Sequence, residues 1–226
     1  MTDSDDDGQV LPEVEVLIPC PRWRKVLPAV EETCRHVAVR AYQAGLARSP
    51  WAEYLEEVEA IEISIVLADD STVRRLNHTY RGQDVPTNVL AFAALDEEDA
   101  IENSGDNDND PLVDADEEEE GEAGGDEEGD EDEDEDEDDF GEEDRLPLGD
   151  IIVAFETTRA EAETAGIPLP DHLAHLVVHG VLHLLGYDHQ EDIAAEEMER
   201  LETAVLGTLG IEDPHAARDE TDTTPR

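Results

Sequence analysis

Residues 96–144 set the strongest limit on how this chain can fold. Their 49 positions carry 31 carboxylates and no lysine or arginine, including the unbroken run Asp130–Asp139. Such a segment cannot bury enough apolar surface to offset the entropy of ordering it, so it is expected to be a disordered acidic insertion. It accounts for 31 of the 50 net negative charges of the 226-residue chain. The other 177 residues suffice for one domain with its own core. Strand-like segments flank the block on both sides and neither flank looks complete alone. The block therefore reads as an insertion into a sheet connection, with 11–95 and 145–214 forming one domain and 1–10 and 215–226 flexible tails.

Several classes are excluded early. No run approaches the roughly 18 apolar residues of a membrane helix. The first ten residues, MTDSDDDGQV, have no apolar core, so no secretory leader is expected. Two cysteines, Cys20 and Cys34, lack a CxxC spacing and read as reduced thiols of a cytosolic protein. The net negative charge argues against nucleic-acid binding only weakly, because most of the excess sits in the block.

Four strands are expected, at Val14–Ile18, Ile61–Leu67, Asn88–Ala93 and Leu146–Ala154, from alternation or short apolar runs bounded by turn residues. Helical spacing runs from Pro21 to about Leu46, with Pro28 placing the regular part after it. Asp70 or Ser71 is expected to cap a helix over Val73–Tyr80. Three more helices are expected at Thr157–Ala165, Pro170–Leu185 and Ile193–Leu206, the second stopped by Gly186. The sum is an α+β domain, a mixed four-stranded sheet with helices packed on it.

The last third holds HGVLHLLGYDH, residues 179–189. His179 and His183, four apart on a helix, share a face and can share one metal ion. Gly186 ends the helix and lets His189 approach the same ion from the following loop. Three imidazoles leave a position open, which is the catalytic pattern; they would also accept nickel or copper. The spacing is that of metzincin proteases, but Gly180 stands where those enzymes carry their glutamate base. His172 and His175 lie on nearly the same face and compete as ligands or line the surroundings. Asp188 orients an imidazole or stabilises the turn; Tyr187 and Met198 read as core.

A second segment, LNHTYRGQDVPTNVLAF at 76–92, sits beside Arg74 and Arg75. With Arg81 these three guanidiniums face one acid, Asp84. They suit phosphate, or pair with surface carboxylates. Asn88 opens the third strand next to a Pro-Thr turn.

These stretches, with LGDIIVA at 148–154 and HLVVHGVLHLLGYDHQED at 175–192, resemble the bacterial YbeY family of metal-dependent endoribonucleases. The likeness covers about 61–95 and 146–214. It implies one zinc ion on His179, His183 and His189, and a role for Arg81 in activity, against an RNA phosphate. It also implies a single-strand-specific, zinc-dependent endoribonuclease of the cytoplasm. That enzyme matures the 3′ end of 16S ribosomal RNA and serves late quality control of the 70S ribosome. Its partners would be ribosomal RNA, the small ribosomal subunit and assembly proteins, with no membrane and no DNA. Gln83 and Ala91 depart from the family's frequent Lys and Ser, each removing a polar group. Water and the RNA 2′-hydroxyl both stand as nucleophile, and Asp84, Asp150 or a histidine as base. A metal-dependent peptide or amide hydrolase, and an assembly factor with a structural metal, are the rival readings.

Overall fold

The computed structural model describes residues 10–95, 145–188 and 192–212. The expectations placed on the tails, on the acidic block and on His189 lie outside the described residues.

Alternation places the strands where it was read, within about a residue. They are β1 (Glu13–Leu17), β2 (Ile61–Ala68), β3 (Val89–Ala93) and β4 (Leu146–Ala154). The helices are α1 (Arg22–Val26), α2 (Val30–Leu46), α3 (Ala52–Glu56), α4 (Asp70–Arg81), α5 (Phe155–Ala165), α6 (Leu169–Leu184) and α7 (Asp192–Thr208). Pro28 falls in the break between α1 and α2, as its missing N–H requires. The short α3 was not expected.

The strands form one mixed sheet in the order β1-β2-β4-β3. The β1–β2 and β2–β4 pairs are parallel, and β3 runs antiparallel to β4 at the edge. The acidic block therefore joins two strands that are antiparallel neighbours in the sheet.

Side chains alternate across the sheet and build two apolar layers. On one face Ile63, Ile65, Leu67, Ile151 and Val153 pack against α2, α6 and α7. On the other, Ala68, Leu90 and Ile152 pack against Val73 and Leu76 of α4, with Phe92 beside them. Cys20 and Cys34 are both buried free thiols, and burial pushes Cys34 up to about 12.

Two local details fix how the helices leave the sheet. The N-cap of α4 is Asp69, not Asp70 or Ser71: its Oδ1 accepts from Thr72 N at 2.9 Å. Asp70 turns instead to the start of α5, accepting from Thr157 N at 3.0 Å and Thr157 Oγ1 at 2.8 Å. Glu156 answers by accepting from Asp70 N at 3.0 Å, so the two helix starts cap each other. Gly149, at φ +139°, interrupts β4 where its register with β2 shifts. A Cβ there would collide with the carbonyl of Phe92, so only glycine lets β3 and β4 approach.

Candidate active site

Helix α6 opens with Pro170 in its first turn and is buried nearly all round. From Leu173 to Leu185 the residues that are not buried are His175, His179 and His183. The helix thus presents a row of imidazoles through an otherwise apolar surface. It ends as Gly186 takes φ +83°, with Tyr187 N donating to Leu182 O and Gly186 N to His183 O, both at 3.0 Å. This left-handed stop is what the sequence called for.

The turn fixes one imidazole. Tyr187 is anchored by its hydroxyl, which donates to Gly45 O of α2 at 2.7 Å. Its own carbonyl faces His183 Nδ1 at 3.0 Å. A carbonyl only accepts, so Nδ1 carries the proton and Nε2 presents its lone pair. The Tyr187 main chain thus orients the His183 ring through this nitrogen.

His179 is fixed from α7. Its Nδ1 lies 2.7 Å from Glu202 Oε1, and the second oxygen of that carboxylate lies 3.3 Å from His175 Nε2. Glu202 is 3 % exposed. Burial alone would raise its carboxyl; the hydrogen bonds and charge of His175 and His179 outweigh that and hold it well below the usual carboxylate range. The sequence reading missed Glu202. The available signal was its spacing, four residues from the buried Met198 and from Leu206, which puts a carboxylate on the apolar stripe of α7.

With both Nδ1 atoms committed to acceptors, the two Nε2 atoms face each other 3.1 Å apart. Two bare lone pairs at that separation repel unless a cation sits against both. Two zinc–nitrogen bonds of about 2.0–2.1 Å at a tetrahedral angle would place their nitrogens roughly 3.3 Å apart, so the donor pair fits such an ion. Among the described residues no group of three or more potential ligands converges. The pair is brought together, and the third expected ligand, His189, lies outside the described residues.

The competing histidines are otherwise engaged. His172 Nε2 lies 2.9 Å from Glu161 Oε2, which also accepts from Asn88 Nδ2 at 2.9 Å. Asn88 therefore does more than form a turn: it ties the start of β3 to α5, while its Oδ1 accepts from Val89 N at 2.7 Å.

The three arginines separate. Arg74 forms a two-point ion pair with Asp84, both bonds 2.7 Å, and those hydrogen bonds hold Asp84 below the usual carboxylate range. Arg75 and Arg81 make no ion pair among the described residues. Arg81 ends α4, on the face of the sheet opposite α6, and no hydrogen bond or ring contact among the described residues joins it to the histidines. Next to it Tyr80 is 66 % exposed, its ring edge-on to Phe92 with centroids 5.0 Å apart. No described helix is long and apolar enough to cross a membrane.

Residues 31–210 match the family model described as endoribonuclease YbeY. The chain is 43 % identical over 203 residues to an endoribonuclease YbeY of Paramagnetospirillum magneticum, spanning 90 % of this chain and 95 % of that one. The Rhodospirillum rubrum relative of the same description is 40 % identical over 194 residues, covering 86 % and 76 %. That of Rhodopseudomonas palustris is 36 % identical over 213 residues, covering 94 % and 95 %.

Proposed function

The chain belongs to the endoribonuclease YbeY family, and from that membership we propose that it cleaves single-stranded RNA at a zinc site. On this reading it matures the 3′ end of 16S ribosomal RNA and serves late quality control of the 70S ribosome in the cytoplasm, with the small subunit as partner. One zinc ion per chain is held by His179, His183 and His189. The observation that carries the reading is the pair of Nε2 atoms 3.1 Å apart, each ring committed through its other nitrogen to an acceptor.

When bound, the ion supplies Lewis-acid polarisation of a phosphoryl oxygen and acidifies water. The Glu202 carboxylate and the Tyr187 carbonyl keep the ring protons on Nδ1, so both Nε2 atoms stay available as ligands. Arg81 holds a backbone phosphate of the strand through two parallel N–H···O bonds, anchoring the RNA away from the phosphate that meets the ion. Asp84, bound by Arg74, is a poor proton acceptor. Asp150 is exposed beside Phe92 on the α4 face. Arg81 and the histidines lie on opposite faces, so an RNA strand that reaches both crosses the sheet at β3, its edge strand. Along that path Tyr80 offers an aromatic face to an unpaired base, which supports the preference for single strands.

The test compares an unpaired RNA oligonucleotide with its duplex. Cleavage of the unpaired strand is expected to stop after chelation and to return with one equivalent of zinc. Undiminished cleavage after complete zinc removal would overturn the reading.

The acidic block enters through electrostatics. Its 31 carboxylates repel RNA over about one Debye length, ~8 Å at physiological salt. Because β3 and β4 are hairpin neighbours, a short turn can replace 96–144 and leave their register in place. That deletion is expected to raise RNA association several-fold at low salt, the gain vanishing near ~0.5 M. An unchanged rate at low salt would show the block to have no inhibitory role.

A further inference from the structure

Helix α6 carries His175, His179 and His183 at i, i+4 and i+8, so its spacing offers two equivalent histidine pairs. The structure treats them differently. The rings of His179 and His183 are 4.5 Å apart, those of His175 and His179 6.4 Å.

We propose that Glu202 is the positioning residue that selects the His179–His183 pair for metal: one carboxylate oxygen holds His179 as the Nδ1–H tautomer while the other engages the His175 nitrogen that would otherwise compete. The proposal rests on the zinc reading above and adds to it the reason that this pair, and not its neighbour one turn back, is the ligand pair.

The chemistry follows from what a carboxylate can accept. Glu202 reaches α6 from α7, between Met198 and Leu206, and is held away from water. A buried carboxylate persists only if donors satisfy it. Its Oε1 lies 2.7 Å from His179 Nδ1 and its Oε2 3.3 Å from His175 Nε2. An ionised carboxylate has no proton to give, so both facing nitrogens are N–H donors. For His179 that leaves Nε2 bare and turned toward His183 Nε2. For His175 the same rule consumes Nε2, the nitrogen facing Glu202. The carboxylate thus aims one imidazole and withholds the other.

The decisive measurement is on the metal-free protein. Imidazole 15N chemical shifts are expected to report the Nδ1–H tautomer for His179 in the parent protein. Glu202→Leu, which removes both acceptors, is expected to shift His179 toward the Nε2–H form. Zinc affinity, read by competition with a chromophoric chelator, is expected to fall 10- to 100-fold. Should Glu202→Leu not fold, Glu202→Gln decides. It keeps the volume but presents one carbonyl and one amide, so it accepts from only one of the two imidazoles, and the tautomer of at least one of His175 and His179 should change. A parent His179 found as Nε2–H, or a folded Gln variant with its tautomers unchanged and zinc affinity within twofold, would overturn the proposal. The tautomer result stands whether or not the protein cleaves RNA, so failure of the nuclease reading is separately visible.

Discussion

Replacing His183 by alanine is expected to lower RNA cleavage roughly a thousandfold while the protein stays folded. Loss of the ion removes its stabilisation of developing phosphoryl charge, worth several kcal/mol, and about 4 kcal/mol is a factor of roughly a thousand. The fold should survive because His183 is only half-buried. Its bond to the Tyr187 carbonyl is one of several holding that turn, beside the Tyr187 hydroxyl on Gly45 and the two main-chain bonds that end α6. One such bond contributes about 1 kcal/mol, or some 2–4 °C in a domain of this size. Metal analysis should show zinc dropping from about one equivalent per chain. His179→Ala should lose as much activity but more stability, since it also removes a donor from the buried Glu202 carboxylate. The difference between the variants separates ligand loss from damage to the core. Full cleavage and full zinc in His183→Ala would end the zinc-nuclease account. Lost cleavage with intact binding to the small ribosomal subunit would show an assembly role beside it.

The parts of this molecule that were legible in its sequence are those whose physics is local. Strand β2 alternates because one face meets α6 and the other α4, and alternation can be read without knowing either partner. The end of α6 is legible because Gly186 alone there accepts the left-handed turn. What was not legible depends on neighbours distant in the chain. Asp69, Asp70 and Ser71 offer three oxygens to one helix start. The choice falls to Asp69 because the start of α5, more than eighty residues away, captures Asp70. The role of Glu202 exists only because α7 packs across α6. That Arg81 and the histidines sit on opposite faces follows from which side of β3 each helix covers, and spacing does not carry that. The same holds for Arg74: its charge is cancelled by Asp84, ten residues on, while that of Arg81 is not. The local excess of positive charge read from the sequence is therefore carried by Arg75 and Arg81.

Gly180→Glu would complete the metzincin motif, and its expected result is a protein that no longer folds stably. The rival reading as a peptide hydrolase needs this position to carry the base for water. In this fold Gly180 is buried against β4, where a Cβ would lie 2.8 Å from Ile151 Cγ2 and 3.0 Å from its Cγ1 and Cδ1. Ile151 is itself fully buried in the central strand and has no room to retreat. A glutamate there adds a side chain to a filled space and a carboxylate to an apolar layer with no donor. Overpacking costs about 1–3 kcal/mol, and the unpartnered charge adds several more. A loss above ~4 kcal/mol is a large share of the 5–15 kcal/mol that holds a typical domain together. Gly180→Ala is the control. Its Cβ meets the same Ile151 contacts, so an overpacking cost of about 1–3 kcal/mol is only partly offset by about 1 kcal/mol of helix propensity. Its melting temperature should fall, by less than that of the glutamate variant, which adds the buried charge. Thermal unfolding of the two variants and a casein assay on whatever glutamate variant remains soluble test the point together. A glutamate variant as stable as the parent, turning over peptide in a chelator-sensitive way, would mean that position 180 tolerates a protease base, and the nuclease reading would lose its main structural advantage over the alternative.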